Sequence, residues 1–354
     1  MVKKATLYKK LPDGNLQCLA CSWYCRISDG FVGICGVREN IGGKLYLLVY
    51  GKPIHGLAVD PIEKKPLFHF LPGSKILSFG TFGCNFGCLF CQNWHMSQMP
   101  RLLRQKMKDY RKALDGLKKE IEKLPTFLPE KIVEYASKNK YPSIAYTYNE
   151  PAVFFEYAYD TARLAAKNGI KNVFVSNGYE SKEALRKIHP YLDAINIDLK
   201  SFSPDFYLKI CKARFQPVIE NIKRCYKMGI WTEITTLVIP TLNDSDEQFK
   251  KMADFLVSVS PSIPWHISSF HPEYKLQDLP PTPVETLYRA YEIGKKAGLK
   301  YIYIGNVYDP RHAVTYCPNC KEILIKRYWH ETEVGNFKNG KCGECKEKIE
   351  GVWN

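Results

Sequence analysis

Short apolar runs alternate with helical patterns from about Lys75 onward, and this alternation limits the fold most strongly. The apolar runs have the length of buried strands, and glycines suited to C-caps follow several of the helical segments. The predicted strands are Ile76–Thr81, Ser143–Tyr148, Asn172–Ser176, Ala194–Leu199, Trp231–Val238 and Trp265–Phe270, with Tyr301–Ile304 as a further candidate. The predicted helices include Ala152–Asn168, Gln216–Met228 and Val284–Ala297. Repeated βα units of this kind predict an α/β fold with a parallel sheet.

The chain contains thirteen cysteines, and eleven of them fall into three tight groups. Their odd number and the lack of an apolar leader run argue against a secreted disulfide framework, so metal binding explains the groups better. We interpret the two isolated residues, Cys211 and Cys225, as buried core thiols. No run of about 18 apolar residues occurs either, which predicts a soluble, cytoplasmic protein.

The central group, Cys84, Cys88 and Cys91, comes directly after the first predicted strand. A [4Fe-4S] cluster normally takes four cysteines, so three cysteines leave one iron open for a substrate or cofactor group. Gly83 and Gly87 let the main chain approach such a cluster closely. Active sites of β/α barrels gather on loops at the carboxyl ends of strands, which is the position of this group. An iron-sulfur site is therefore predicted, with a zinc knuckle as the alternative.

This Cys-x3-Cys-x-aromatic-Cys pattern resembles the signature of the radical S-adenosylmethionine (SAM) superfamily, and Phe90 occupies the aromatic position beside the adenine. The resemblance implies a partial (β/α)6 barrel and reductive cleavage of SAM to methionine and a 5′-deoxyadenosyl radical, which abstracts hydrogen from a substrate. It also implies a one-electron reductant of the ferredoxin or flavodoxin type. The cofactors would carry this chemistry, while the protein would position SAM and exclude solvent.

Segments at the ends of later strands resemble the pyruvate formate-lyase activating enzymes. The resemblance implies contacts to the amino group, carboxylate, ribose and adenosine of SAM from residues on these segments. The residues are Asn149, Glu150, Ser176, Asn177, Asp198, Lys200 and His266. Asn149 stands where that family has a glycine, and Lys200 is a suitable partner for a carboxylate. For each residue the alternative is structural, as part of a turn, a helix start or the surface.

Two further cysteine groups flank the core. Cys317 and Cys320, then Cys342 and Cys345, form two Cys-x2-Cys pairs that suit tetrahedral zinc in a ribbon, with iron in the same cage as the alternative. Near the N-terminus four cysteines occur without a second close pair. They are Cys18, Cys21, Cys25 and Cys35. Four thiolates accept zinc or an auxiliary iron-sulfur cluster, and a group of reduced buried cysteines is the third interpretation.

The segment Arg101–Lys123 has nine basic and four acidic residues with an apolar stripe of alternating four- and three-residue steps. It predicts one basic helix, inserted in the core, that packs on the protein's own surface, with a partner-binding coiled coil as the alternative. In the whole chain 51 Lys+Arg exceed 36 Asp+Glu, a formal charge of +15. RNA is a candidate partner for such a chain, and a solvated, lysine-rich surface is the alternative.

From end to end the chain resembles the radical SAM member of the AmmeMemoRadiSam system. The resemblance rests on the segment Asp60–Gly73, on Cys91-Gln-Asn-Trp94 and on both four-cysteine sets. It implies Memo-like and AMMECR-like partner proteins. The expected domains are an N-terminal four-cysteine module (1–74), a radical SAM core (75–315) with a helical insertion (101–124), and a C-terminal zinc ribbon (316–354). Two other functions stay open: a glycyl radical enzyme activase, and a basic nucleic-acid-binding or RNA-modifying protein.

Overall fold

The structure, a computed structural model, describes residues 2–328 and 331–354. The chain divides into two compact units, and each consists of three segments. The first unit contains Met1–Val59, Ile76–Asp193 and Cys211–Ala213, and the second contains Asp60–Lys75, Ala194–Ile210 and Arg214–Asn354. In the described residues no helix is both long enough and apolar enough to cross a bilayer.

Short strands form the N-terminal part of the chain. They are β1 (Lys3–Lys4), β2 (Tyr8–Lys10), β3 (Leu16–Cys18), β4 (Arg26–Ile27), β5 (Arg38–Ile41), β6 (Lys44–Leu47) and β7 (Ala58–Pro61). In the first unit β2, β3 and β4 form one antiparallel sheet, and β1, β6 and β5 form another. Cys18 therefore ends β3, while Cys21, Cys25 and Cys35 lie on the connections that follow.

Three parallel strands form the core of the first unit. They are β8 (Lys75–Phe79), β9 (Ser143–Tyr146) and β10 (Lys171–Ser176), with β9 in the middle. Every residue of β9 is buried, as expected for a strand of a parallel sheet. The predictions of these strands are confirmed. The helices of this unit are α1 (Trp94–Ser97), α2 (Met99–Met107), α3 (Tyr110–Lys123), α4 (Pro129–Lys138), α5 (Phe155–Lys167) and α6 (Lys182–Ile188).

The prediction of one continuous helix over Arg101–Lys123 is wrong, because α2 and α3 are separate helices. Lys108 breaks them apart with a left-handed φ of 55°. Asp109 then caps α3, since its side chain accepts a hydrogen bond from the Lys112 main-chain N–H at 2.9 Å. The apolar face of α3 is buried in its own unit, through Ala113, Leu114, Leu117 and Ile121. The expectation of packing on the protein's own surface is therefore confirmed.

Four further parallel strands form the core of the second unit. They are β11 (Ala194–Asp198), β12 (Trp231–Val238), β13 (Trp265–Ser269) and β14 (Ile302–Gly305), paired in that order. Its helices are α7 (Pro204–Phe206), α8 (Gln216–Lys227), α9 (Asp246–Val259) and α10 (Val284–Ala297). Helix α10 ends at Gly298, whose φ of 106° suits only glycine as a cap. These four strands and the last two predicted helices are confirmed.

The tail of the second unit forms short antiparallel strands. They are β15 (Thr315–Tyr316), β16 (Ile323–Tyr328), β17 (Glu331–Val334), β18 (Phe337–Lys338) and β19 (Lys341–Cys342). Strand β16 pairs with both β15 and β17, and β18 pairs with β19. Cys317 and Cys342 are buried in an apolar cluster with Leu324 and Ile349. This packing anchors one cysteine of each pair.

Candidate metal and cofactor site

The loop after β8 carries the central cysteine group, and we call residues 80–93 the cluster loop. Cys84 and Cys88 are buried, and Cys91 is partly exposed. Phe90 is buried in the same loop. Burial, and then the charge of Glu150 and of the neighbouring thiols, raises the pKa of Cys84 well above its usual value. A bound metal centre favours the thiolate, so it would oppose these effects.

Side chains from outside the cluster loop hold its main-chain carbonyl groups. The Trp23 indole N–H donates to the Asn85 carbonyl oxygen at 3.0 Å. Arg101 donates to the Phe86 carbonyl oxygen at 2.6 Å. A loop has no strand ladder to satisfy its carbonyls, so such contacts determine its shape.

Gly83, just before the first cysteine, lies against the N-terminal cysteine module. Its φ is 91°, and a Cβ atom there would lie 2.6 Å from the Cys35 carbonyl oxygen and 2.9 Å from Val37. Both the conformation and the space therefore require glycine. As a result, the loop that bears Cys35 directly contacts the residue that precedes Cys84.

The Asn149 side chain forms hydrogen bonds with the cluster loop. Its Oδ1 accepts from the Thr81 main-chain N–H at 3.1 Å. Its Nδ2 donates to the Gly83 carbonyl oxygen at 2.7 Å and to the Thr81 hydroxyl at 3.3 Å. The amide therefore closes the loop at the turn that leads into Cys84.

Glu150 is fully buried and binds the end of β10. Its carboxylate accepts from the Ser176 hydroxyl at 3.0 Å, from the Asn177 main-chain N–H at 2.8 Å and from the Ala152 main-chain N–H at 3.1 Å. Burial, and then the charge of Glu180, raises the pKa of Glu150, although the hydrogen bonds oppose the rise. The structure thus brings together Glu150, Ser176 and Asn177, three of the residues named as candidate SAM contacts.

Two buried side-chain amide groups, those of Asn85 and Asn177, lie beside Cys84. Asn177 Nδ2 lies 2.8 Å from Asn85 Oδ1 and 3.9 Å from Cys84 Sγ. In the described residues, Asn177 Oδ1 and Asn85 Nδ2 have no hydrogen-bond partner, although both atoms are buried. Unpaired buried groups are unfavourable, so an acceptor and a donor left open here fit a polar ligand. The chemistry of three thiols and two open amide groups therefore fits a bound cluster with a polar cofactor.

Asp198 and Lys200 form an ion pair at the carboxyl end of β11, within the second unit. Lys200 Nζ lies 2.8 Å from Asp198 Oδ2, and the Lys200 side chain is only 11% exposed. The main chain of Lys200 is fixed as well, because Tyr207 OH accepts from its N–H and Asn243 donates to its carbonyl oxygen. Its charged group is consequently held in one place near the strand end.

His266 pairs with Glu233, a residue that the sequence analysis missed. Glu233 Oε2 lies 2.7 Å from His266 Nε2 and also accepts from the Phe68 main-chain N–H at 2.9 Å. Its other oxygen accepts from the His69 main-chain N–H and from the Trp231 indole. Although burial opposes ionisation, these contacts leave the pKa of Glu233 below its usual value. Since Glu233 is an acceptor throughout, Nε2 of His266 must carry the hydrogen.

A sequence signal for Glu233 does exist. Glu233 is the one charged residue of the mostly buried strand β12, and a buried charge is expensive without partners, so its presence indicates a polar network.

The N-terminal cysteines interact electrostatically with one another. Burial, and then the neighbouring Cys25 and Cys18 thiols, raises the pKa of Cys21 well above its usual value. Burial, opposed in part by a main-chain hydrogen bond, raises the pKa of Cys25 to about 12, and Cys35 and Cys18 add to the rise. Thus the fold brings the four thiols into one neighbourhood.

The C-terminal cysteines form a compact group. The sulfur atoms of Cys317, Cys320, Cys342 and Cys345 all lie within 4.8 Å of one another. Cys317 Sγ is 3.5 Å from Cys345 Sγ, and Cys320 Sγ is 3.6 Å from Cys342 Sγ. Four sulfurs at these distances could bind one metal ion.

The cluster loop and the strands that follow it match a known family. The model of the radical SAM superfamily matches residues 79–256. The chain belongs to the radical SAM superfamily. Membership implies a [4Fe-4S] cluster and SAM as cofactors, and it identifies the chain as an enzyme with a radical SAM α/β fold and a mostly parallel sheet.

Individual relatives give a more specific comparison. An uncharacterised protein of Methanocaldococcus jannaschii is 43% identical over 354 residues, which covers 99% of both chains. The pyruvate formate-lyase-activating enzyme of Clostridium pasteurianum is 22% identical over 222 residues, 59% of this chain and 84% of that enzyme. A crystal structure of a domain of pyruvate-formate lyase-activating enzyme from Bacteroides vulgatus has 19% sequence identity and a TM-score of 0.40, and it covers 46% of this chain and 98% of that domain.

Proposed function

We propose that this enzyme uses Cys84, Cys88 and Cys91 to hold a [4Fe-4S] cluster. When bound, the reduced cluster supplies the electron that cleaves SAM to methionine and a 5′-deoxyadenosyl radical, which abstracts hydrogen from a substrate. The single observation that carries the proposal is that the segment matching the superfamily contains the three-cysteine loop. The burial of Cys84 and Cys88 in this loop and the open amide groups of Asn85 and Asn177 support it further.

The residues around the cluster loop would bind SAM by their polar groups. Asn177 Oδ1 offers an acceptor for an amino group, since its own Nδ2 is already used by Asn85. Glu150 accepts hydrogen bonds from Ser176 and from the Asn177 main chain, so we propose that it holds these two residues in position. Its negative charge also acts on the neighbouring Cys84 thiol. Phe90 provides the buried aromatic side chain proposed to lie beside the adenine. For Asn149, resemblance favours a SAM contact, while its hydrogen bonds favour a role in holding the cluster loop.

In the second unit, Lys200 would bind a carboxylate of SAM and Asp198 a ribose hydroxyl. The ion pair between them holds the lysine in place until the ligand binds. His266 would meet the adenosine through Nδ1, because its Nε2 hydrogen points to Glu233. These three assignments come from the resemblance to the activating enzymes.

We further propose a zinc ion at the C-terminal cysteine group, in a closed ribbon whose role is structural. The N-terminal group of Cys18, Cys21, Cys25 and Cys35 would hold zinc or an auxiliary iron-sulfur cluster. The parallel strands would form the partial (β/α)6 barrel of the superfamily. These assignments keep the domain division proposed from the sequence, with modules at 1–74 and 316–354 around the core.

The resemblance to the AmmeMemoRadiSam system leads us to propose cytoplasmic work with Memo-like and AMMECR-like proteins. The one-electron donor would be of the ferredoxin or flavodoxin type. The substrate that gives up the hydrogen atom is a separate question. The second candidate function is a glycyl radical enzyme activase, in which this hydrogen comes from a glycine of a partner enzyme. The similarity to the Clostridium pasteurianum activating enzyme favours that candidate.

We nevertheless propose that the substrate is not the glycyl loop of a pyruvate formate-lyase-like enzyme. A minimal activase needs only the cluster, the SAM contacts and an open entrance, whereas this chain adds the module 1–74, the insertion 101–124 and the tail 316–354. To test this, the reduced enzyme and SAM are incubated with the nearest glycyl radical enzyme of the same cell. A stoichiometric glycyl radical doublet in the paramagnetic resonance spectrum would refute the proposal and favour the activase.

SAM cleavage tests the proposed function itself. Protein reconstituted anaerobically with iron and sulfide is given SAM and dithionite, and 5′-deoxyadenosine and methionine are measured. We expect both products in equal amounts, and none from the variant with Cys84, Cys88 and Cys91 changed to alanine. Cys225→Ala, which removes a buried thiol of α8, is the matched control and should keep the activity. Product formation by the triple variant at the unmodified rate would exclude the proposal.

A further inference from the structure

One side of the cluster loop reaches the surface. Gly87, Leu89 and Cys91 are partly exposed, while the residues between them are buried. Trp94, three residues after the last cysteine, is 36% exposed, which is high for so large an apolar side chain. Exposed aromatic residues are enriched at the centres of protein interfaces.

Basic side chains surround this exposed side of the loop. Lys212 lies against Gly87, because a Cβ atom on Gly87 would be 3.3 Å from Lys212 Cβ and Cγ. Arg101 lies on the same glycine, at 3.8 Å from that Cβ position, and its guanidinium binds the Phe86 carbonyl oxygen. Two cations therefore flank the residue that precedes Cys88.

Helix α2 extends this positive charge away from the loop. Arg104 lies three positions after Arg101 on the same face of α2, Lys106 lies in the last turn of the helix, and Lys108 follows directly after its end. Lys106 and Lys108 are exposed, as is Lys212, and within residues 2–328 and 331–354 none of these three lysines forms an ion pair. We define the basic collar as Arg101, Arg104, Lys106, Lys108 and Lys212.

Acidic residues are missing from this stretch of sequence. The 25 residues from Cys84 to Lys108 contain no Asp or Glu. The chain as a whole has 36 acidic residues in 354, so a stretch without any is a local departure from its composition. Arg101, Arg104, Lys106 and Lys108 are therefore not neutralised by acidic residues of their own stretch, which ends just before Asp109.

We propose that the basic collar and Trp94 form the docking surface of an acidic one-electron donor protein. This inference rests on the proposed function, because a donor must deliver its electron near the cysteine ligands. The collar lies at the exposed edge of the cluster loop, and a negatively charged donor would be steered there. In the transfer the donor is oxidised by one electron and the iron-sulfur centre is reduced by that electron, with no atom or proton exchanged.

The position of the basic collar beside the cluster loop favours an electron donor over RNA as the molecule that binds there. A positive surface attracts either one, but an electron donor needs closeness to Cys88 and Cys91 at the exposed edge of the loop, whereas RNA that is only bound by its charge does not. An exposed aromatic residue directly after the same loop, Trp94, is also a residue type enriched in protein interfaces. The RNA affinity of the same proteins is therefore measured in the same test.

The test uses the full chain, reconstituted with iron and sulfide, and a purified acidic flavodoxin as the probe. One variant carries Lys106→Glu, Lys108→Glu and Lys212→Glu. The control variant carries Lys138→Glu and Lys140→Glu, which reverse two exposed lysines at the C-terminal end of α4. Cluster reduction is followed by absorbance with photoreduced flavodoxin, with dithionite and with reduced methyl viologen, and the affinity for oxidised flavodoxin is measured by titration.

At low salt we expect flavodoxin to reduce the collar variant at least about tenfold more slowly than the unmodified protein, because electrostatic steering raises association rates by about 10- to 1000-fold. The rate of the collar variant should also depend less on salt. The control variant should behave like the unmodified protein. The two small reductants have opposite charges and need no docking surface, so their rates should change in opposite directions and by less than the flavodoxin rate.

Equal flavodoxin rates for the collar variant and the unmodified protein would overturn the inference, as would failure of flavodoxin to bind or reduce the unmodified protein. Loss of RNA affinity in the collar variant with an unchanged flavodoxin rate would overturn it in favour of RNA. If dithionite gives no 5′-deoxyadenosine while flavodoxin affinity still depends on the collar, the proposed function fails and the docking surface stands.

Discussion

Replacement of Asn149 by alanine should loosen the cluster loop just before Cys84. The amide holds two main-chain groups, the Thr81 N–H at 3.1 Å and the Gly83 carbonyl oxygen at 2.7 Å. A hydrogen bond contributes about 0.5 to 1.5 kcal/mol net, and a buried group left unpaired costs about 1 to 3 kcal/mol. For these two contacts we expect a loss of about 2 to 4 kcal/mol in the local stability of the loop.

Hydrogen exchange of the peptide that contains Thr81, in metal-free protein, measures this loss. Since about 1.4 kcal/mol corresponds to tenfold, the Thr81 amide should exchange roughly 30 to 1000 times faster in the variant. Asn168→Ala is the control, because the Asn168 amide binds Leu164 at an exposed helix end and should not affect Thr81. Unchanged exchange at Thr81, with only SAM affinity reduced, would refute the role of Asn149 in the loop and favour a direct SAM contact.

Two further predictions concern the metal content and the pH dependence. A variant lacking Cys317, Cys320, Cys342 and Cys345 should lose about one zinc per chain and keep the iron of the cluster loop, measured by elemental analysis; loss of iron with zinc retained would contradict the ribbon. Glu156→Gln should destabilise the protein by about 3 to 5 kcal/mol at neutral pH in urea unfolding, because Arg38, 2.8 Å from Glu156 and equally buried, would lose its counter-charge. Burial opposes ionisation of Glu156, but Arg38 leaves its pKa below the usual 4.5. The stabilisation by this ion pair is therefore present above pH 4.5 and is lost as the pH falls through the lower pKa of the folded state. A difference in unfolding free energy between the two proteins that does not shrink at low pH would contradict this prediction.

The sequence predicted the strands well, because buried parallel strands are continuous apolar runs that need no partner to be recognised. Strand β12 and helix α10 have the predicted bounds, and the other strand ends differ by one or two residues. The break between α2 and α3 was not predicted because the apolar stripe continues across it. Asp109, a good N-cap residue within the stripe, was the available signal.

Contacts between distant residues could not be predicted from local patterns. Asn149 and Thr81 are 68 positions apart, and Arg38 and Glu156 are 118 apart. The three-cysteine motif was recognisable because its ligands lie within eight residues. In contrast, the polar network of Glu233 depends on which strands and loops meet in the folded chain.

The SAM response of the cluster tests the central claim most directly. Anaerobically reconstituted protein is reduced, and its paramagnetic resonance spectrum is recorded with and without SAM. If Cys84, Cys88 and Cys91 leave one iron open to SAM, the spectrum should change on SAM addition, and the signal should be absent from the variant with all three cysteines replaced by alanine. A SAM-responsive signal that survives in the triple variant, or a cluster signal in the unmodified protein that SAM does not alter, would contradict the account.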